Sequence, residues 1–233
     1  MDTSAYQSFA RQTLGVEFDN IDLLVLAFTH RSYVNEHKKT APLHNERLEF
    51  LGDAVLELVV TEYLYGNFSD PEGILTNWRS ALVRTESIGA AAARNGFEAL
   101  LRLSRGEKRG TDRARAQILA NSYEAVVGAL YLDKGYEPAK QFITKSILST
   151  FKEILDTGSW MDPKSHLQET AQSHEGHTPV YKVLSEEGPD HDKTFTVGVF
   201  IDGQLRGEGI GPSKQAGQQK AAEAALAYYE KTK

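Results

Sequence analysis

The chain of 233 residues contains no cysteine, which excludes both a disulfide framework and a zinc-thiolate site. It also lacks any apolar run near the roughly 18 residues that a membrane-spanning helix requires, so no membrane partner is expected. Its first stretch, MDTSAYQSFARQTLGVEF, has neither the basic flank nor the apolar core of a secretory leader, and the expected compartment is the cytoplasm. Net positive charge is missing as well. The formal charge is −6, which argues against a polyanionic partner unless cations are concentrated locally. Residues 1–161 and 162–233 each stand at −3, so neither half is basic. What is present is ordinary: 40% hydrophobic and 25% charged residues, and enough length for one large domain or two smaller ones.

The most informative stretch is His44–Val60, HNERLEFLGDAVLELVV. At about 100° and ~1.5 Å per residue, Glu46, Glu49, Asp53 and Glu57 fall within an arc of roughly 80° along ~16 Å of one helix. Leu48, Phe50, Leu51, Val55, Leu56, Leu58 and Val59 cover the rest, which predicts a helix packed on more than one side. A charged stripe is ordinarily a solvated face. Here, however, Glu49, Asp53 and Glu57 are i,i+4 neighbours of like sign, each pair unfavourable by a few tenths of a kcal/mol, with no basic residue on the stripe to offset them. Hard oxygen ligands converging in this way suit Mg2+ or Mn2+. A second apolar helix is predicted over Ala116–Leu132, stopped by Asp133-Lys134-Gly135. Its polar exceptions, Asn121 and Glu124, share a face with Gly128, where a second helix can approach closely. A buried glutamate needs a partner; a hydrogen-bonded core position and a shared metal with the acidic stripe are the two readings.

Taken in order, Ser4–Leu14 and Ile21–Thr29 have helical spacing, Asn20 capping the second. His37–Leu43 connects to the acidic helix, which runs to about Tyr65, and further helical spacing follows from Glu72 to about Asn95-Gly96. Between Arg102 and Arg115, RLSRGEKRGTDRAR holds six basic and two acidic residues, a patch able to meet phosphates or a solvated loop. Pro138–Leu155 reads as one more helix. DTGSWMDPK then reads as a linker, and the periodicity changes beyond it: a helix at Ser165–Ser173, strands at Val180–Glu186, Phe195–Ile201 and Gln204–Ile210 with a hairpin turn at Asp202-Gly203, and a helix from Ser213 with Ala222, Ala225, Leu226 and Tyr229 on its apolar face. His174 and His177 lie where a helix runs into a loop, with no third ligand at zinc spacing. The expected architecture is an all-α helical bundle over residues 1–155, a linker at 156–161, and a small α+β domain of order α-β-β-β-α over 162–233.

Several ordered segments carry a resemblance. NERLEFLGDAVL, together with AFTHRSYVNE, EGILTNWRSALV and ILANSYEAVVGALYLDKG, resembles the signature of ribonuclease III, and the last seventy residues are similar to a double-stranded-RNA-binding domain. The resemblance covers nearly the whole chain. It implies divalent-metal-dependent endonucleolytic cleavage of double-stranded RNA, as in ribosomal RNA precursors and other structured RNAs, to 5′-phosphate and 3′-hydroxyl ends. It carries Glu49, Asn121 and Glu124 to metal ligation, Asp53 and Glu124 to catalysis, and Glu46 and Glu72 to auxiliary acidic roles. The implied cofactor is Mg2+, with Mn2+ an alternative, and no nucleotide cofactor.

In the second domain the resemblance places Gln168, Glu169 and His191 at minor grooves and Lys214 on a phosphate. It further implies a homodimer that cuts both strands, with Phe50 at the dimer contact or, alternatively, in the core. Two departures stand out. Asn121 replaces the usual Asp, removing one negative charge from the metal set, and Lys214-Gln215-Ala216-Gly217-Gln218 stands where a more basic cluster is expected, leaving Lys220 on a different side of the helix. The competing function is a non-catalytic double-stranded-RNA-binding protein with a decayed metal site.

Overall fold

The computed structural model describes residues 2–189 and 193–230, in two units, Met1–Asp156 and Thr157–Lys233, which are taken separately. Helix α1 (Ser4–Phe9) widens into a π-helical turn and stops at Gly15, φ 74°. The Asn20 side chain accepts from the Asp22 N–H at 3.2 Å and opens α2 (Ile21–Ala27). A short α3 (Arg31–Glu36), unexpected from periodicity, precedes α4 (Glu46–Asn67). The helical stretch from Glu72 is two helices, α5 (Glu72–Val83) and α6 (Thr85–Arg94), because Arg84 is extended at φ −68°, ψ 152°. Helix α7 (Asp112–Lys134) begins earlier than its apolar run, since the Thr111 hydroxyl caps the Ala114 N–H at 3.3 Å.

The single helix expected over Pro138–Leu155 is instead α8 (Tyr136–Ser146) and α9 (Phe151–Asp156), joined by a 3₁₀ turn. Hydroxyls explain the break. Ser146, Ser149 and Thr150 donate back to the carbonyls of Phe142, Lys145 and Ile147 at 2.6–2.8 Å, local bonds that compete with continued helix.

Around α7 the other helices of this unit find their core. Leu119, Val126, Val127 and Leu130 are buried, each contributing about 1.5–3 kcal/mol relative to exposure. A run of rings, Phe9, Phe28, Phe97, Tyr123 and Phe142, links α1 to α8 through centroid separations of 5.1–5.8 Å. Tyr123 is fully buried, its hydroxyl sharing a 2.6 Å hydrogen bond with that of Ser146. No helix among the described residues is long and apolar enough to cross a membrane.

In the second unit, Asp162 accepts from the N–H groups of Lys164 and Ser165 and Pro163 occupies the first turn, opening α10 (Pro163–Glu175). Three antiparallel strands follow in the order β1 (Val180–Glu187), β2 (Thr194–Ile201) and β3 (Gln204–Gly211). Asp202 (φ 49°) and Gly203 (φ 74°) make the tight turn, the left-handed pair that a two-residue hairpin requires. Val197, Val199 and Ile201 point inward against α10 and α11 (Lys214–Glu230). Glycines at alternate positions of β3 let α11 lie on the sheet: a Cβ on Gly209 would stand 2.3 Å from the Ala221 nitrogen. Glu175, at the end of α10, accepts from Arg206 at 2.9 Å and from the Tyr229 hydroxyl, so the HEGH segment ties helix to sheet and helix. The unit is an α+β layer, and the first unit is all-α.

Candidate active site

Helices α4 and α7 pack more extensively on each other than any other pair in the first unit, and two glycines set their distance. A Cβ on Gly52 would stand 1.7 Å from the Glu124 carbonyl oxygen; one on Gly128 would stand 2.3 Å from that of Leu48. Backbone therefore meets backbone. Glu49 and Asp53 flank Gly52 on α4, and Asn121 and Glu124 precede Gly128 on α7, so the crossing gathers the carboxylates that the two sequence patterns supply separately. Gly52, hidden inside the signature run, is the functional residue that periodicity missed; its signal was a glycine in the interior of a long helix, where it has only a propensity cost.

Electrostatics follow from the geometry. Burial, reinforced by the charges of Asp53 and Glu49, pushes the Glu124 carboxyl up to about 8. Glu49 is raised too, by burial first and then by Glu46 and Asp53, while a hydrogen bond from Asn121 and the nearby His44 oppose the shift. Asn121 is oriented by its own helix: Gln117 Nε2 donates to Asn121 Oδ1 at 2.7 Å, leaving the amide nitrogen to serve Glu49.

The acidic stripe is not uniformly unpaired, as its sequence suggests. Glu57 meets Arg79 Nε at 3.1 Å, and Glu46 lies 3.5 Å from Arg31 and 3.8 Å from His44 Nδ1. These partners come from α5, α3 and the connection, out of reach of a single-helix pattern. Repulsion thus centres on Glu49, Asp53 and Glu124, with Glu46, though paired, still adding to it at Glu49. Among the described residues, no three His, Asp or Glu side chains stand close enough to hold an ion as placed. The donors nevertheless fit one chemically: hard carboxylate oxygens, with Glu49 and Glu124 raised by burial first and by neighbouring like charge second, are what a divalent cation stabilises.

Glu72 is not brought to this cluster. It starts α5, accepts from the Thr76 hydroxyl at 3.4 Å, and lines a cleft of about 430 Å³ with Thr61, Tyr65, Asp70 and Arg79. Phe50 is 82% exposed, with Leu58 and Tyr65 further along the same helix also exposed. Core packing for Phe50 is ruled out, and α4 is apolar toward solvent as well as toward α7. Within Arg102–Arg115, Arg102 covers the Tyr33 ring at 4.3 Å and Arg115 pairs with Glu98 at 2.7 Å, which leaves Arg105, Lys108, Arg109 and Arg113 on the surface; the last belongs to α7 and not to a loop.

In the second unit Gln168 and Glu169 are exposed on α10, and Gln168 lines a polar cleft with Lys164, Ser165, Tyr181, Gln215 and Gln219. Lys214 opens α11 but is already engaged, 3.1 Å from Glu186 and over the Phe195 ring. Gly217 fits where a Cβ would stand 2.7 Å from Val197 Cγ2. Lys220 is exposed, and His191 lies outside the described residues.

Known proteins share both units. Residues 20–151 match the family described as Ribonuclease-III-like, and residues 163–229 match the double-stranded RNA binding motif. The curated protein "Ribonuclease 3" of Enterococcus faecalis is 45% identical over 220 residues, 93% of this chain and 94% of its own length; that of Anoxybacillus flavithermus is 45% identical over 95% of this chain and 93% of its own. Among solved structures, the nuclease domain of ribonuclease III from Campylobacter jejuni aligns with TM-score 0.55 and 39% identity, covering 62% of this chain and 95% of that one. A second structure of that domain is described by flexibility in its region involved in dimer formation.

Proposed function

Because the chain belongs to the ribonuclease III family of endoribonucleases and carries a double-stranded RNA binding motif behind its nuclease region, we propose that it hydrolyses double-stranded RNA endonucleolytically, with Mg2+ as cofactor and Mn2+ able to replace it. The observation that carries this reading is the meeting of Glu49, Asp53 and Glu124 at the Gly52–Gly128 crossing, a cluster of like charge in which Glu49 and Glu124 are partly buried and Asp53 is exposed, held together by backbone contact between the helices. In the proposed roles Glu49, Asp53 and Glu124 hold the cation, and Asp53 and Glu124 stand nearest the chemistry. Asn121 reaches the cation less directly than the usual Asp, because its carbonyl oxygen is bonded to Gln117 and its amide steadies Glu49. Glu46 is auxiliary and balanced by Arg31; Glu72, the other auxiliary acid, stands in a different cleft. When bound, the ion supplies a lowered pKa for its water and neutralisation of phosphoryl charge. The protein's part is to keep Glu49 and Glu124 partly desolvated with Asp53 beside them, and to place the scissile phosphate next to all three.

Substrate is brought to that point by the two units together. The 162–233 domain reads duplex shape through Gln168 and Glu169 on α10, His191 in the β1–β2 connection and Lys214 at the start of α11, contacts suited to 2′-hydroxyls and phosphates of an A-form helix. On the nuclease unit, Arg105, Lys108, Arg109 and Arg113 offer further phosphate contacts. The exposed apolar residues of α4, Phe50, Leu58 and Tyr65, support a homodimer, in which two sites cut both strands and leave short 3′ overhangs. Ribosomal RNA precursors are the proposed natural substrates, and the cytoplasm the proposed compartment. Incubating the full chain with a labelled duplex and with its separate strands, in Mg2+ or Mn2+, tests the reading: duplex-selective cutting to 5′-phosphate ends is expected, whereas duplex binding with no cutting in either ion would make this a binding protein.

A further inference from the structure

Positive charge on the RNA-binding unit is scarce, and the structure shows where it is spent. At the start of α11, three glutamines, Gln215, Gln218 and Gln219, surround a single lysine, Lys214. The Lys214 ammonium is held by Glu186 Oε1 at 3.1 Å, from the end of β1. A second cation nearby is also engaged: Lys164 Nζ donates to Gln218 Oε1 at 2.8 Å and sits 5.2 Å from the Tyr181 ring centroid. The phosphate-binding end of α11 therefore carries its own carboxylate. We infer that Glu186 is an affinity-setting residue of the RNA interface, an internal carboxylate that competes with an RNA phosphate for Lys214. The inference rests on the proposed binding of duplex RNA.

Geometry makes the competition reversible. The Lys214 and Glu186 side chains are 59% and 40% exposed, so the pair is solvated and easily parted. The helix N-terminus behind Lys214 favours whichever anion sits there, and a phosphate of the duplex and the Glu186 carboxylate make the same use of the ammonium. While Glu186 holds Lys214, a phosphate must displace it and also approach a carboxylate of its own sign. The consequence is a binding domain that grips weakly and releases cut duplex readily.

The test is equilibrium binding of a labelled RNA duplex to the full chain in EDTA, over a range of salt, for the unmutated protein, Glu186→Gln, Lys214→Ala and the double variant. Glu186→Gln is expected to tighten binding by about two- to fivefold, the worth of one exposed ion pair, and to steepen the salt dependence by up to about one counterion as Lys214 turns wholly to phosphate. In the Lys214→Ala background the same substitution is expected to have less than half that effect on a logarithmic scale, the signature of coupling. Unchanged affinity in Glu186→Gln, or equal tightening in both backgrounds, would overturn the inference while leaving duplex binding intact. Failure of the unmutated chain and of Glu186→Gln alike to prefer duplex over single strands would overturn the functional reading with it.

Discussion

Gly52→Ala is the substitution on which structure and sequence disagree most. By helix propensity alone it should stabilise α4, by up to about 1 kcal/mol. In the structure its Cβ would lie 1.7 Å from the Glu124 carbonyl oxygen, where real Cβ contacts stay beyond 3.0 Å. The helices must therefore part by about 1.3 Å at the crossing. Overpacking of this kind costs roughly 1–3 kcal/mol, and at about 2–4 °C per kcal/mol for a unit of this size the melting temperature falls by roughly 2–12 °C. Cleavage suffers more than stability, because a shift of about 1 Å between Glu124 and the Glu49–Asp53 pair costs on the order of 10²-fold in rate. Gly66→Ala is the control on the same helix, since nothing lies within 4 Å of its Cβ, and it should be neutral or mildly stabilising. Melting curves and single-turnover duplex cleavage read both effects. Gly52→Ala melting and cutting like Gly66→Ala would refute the close crossing.

Glu124→Gln should remove a pH dependence of stability in the metal-free protein. The folded carboxyl is raised to about 8 above an unfolded value near 4.5, so the native state binds more protons across that window and stability falls as pH rises through it. The variant, neutral throughout, should be the more stable of the two at pH 8, by up to a few kcal/mol; melting temperatures in EDTA at pH 5 and pH 8 that change in parallel for both proteins would rule this out. Phe50→Glu should weaken self-association by about 30-fold or more, the worth of a buried aromatic anchor, seen in sedimentation velocity as a shift toward monomer without loss of helix; an unaltered dimer would remove Phe50 from the contact.

The order of elements was legible because each rests on local rules: Asn20 as a cap, Asp202-Gly203 as a turn, period two in β2 against 3.6 in α4 and α7. The acids of the candidate site were legible for the same reason, as one stripe and one exception on two apolar helices. What was not legible depended on partners distant in the chain. Arg79 and Arg31 settle which of the four stripe acids are paired, and neither belongs to the stripe. Gly52 reads as a weak point in a helix until α7 is laid against it. Phe50 and Leu58 are indistinguishable from core residues by composition, and only the packing of α4 shows them outside. The Ser146–Thr150 break was overlooked because the apolar spacing continues through it; the hydroxyls, and not the periodicity, decide there.

The arrangement of the cluster itself is tested most directly by comparing an acid at the crossing, Glu124 on α7, with an acid of the α4 stripe that is paired away from it, Glu57. Single-turnover cleavage of a labelled RNA duplex in saturating Mg2+ should fall by at least about 10²-fold in Glu124→Gln, which loses a carboxylate of the proposed ion site, with duplex binding unchanged. Glu57→Gln, whose carboxylate is held by Arg79, should cut within about threefold of the unmutated chain, as surface pairs contribute little. Cleavage undiminished in Glu124→Gln, or abolished equally in Glu57→Gln, would contradict the assignment of the site to the Gly52–Gly128 crossing.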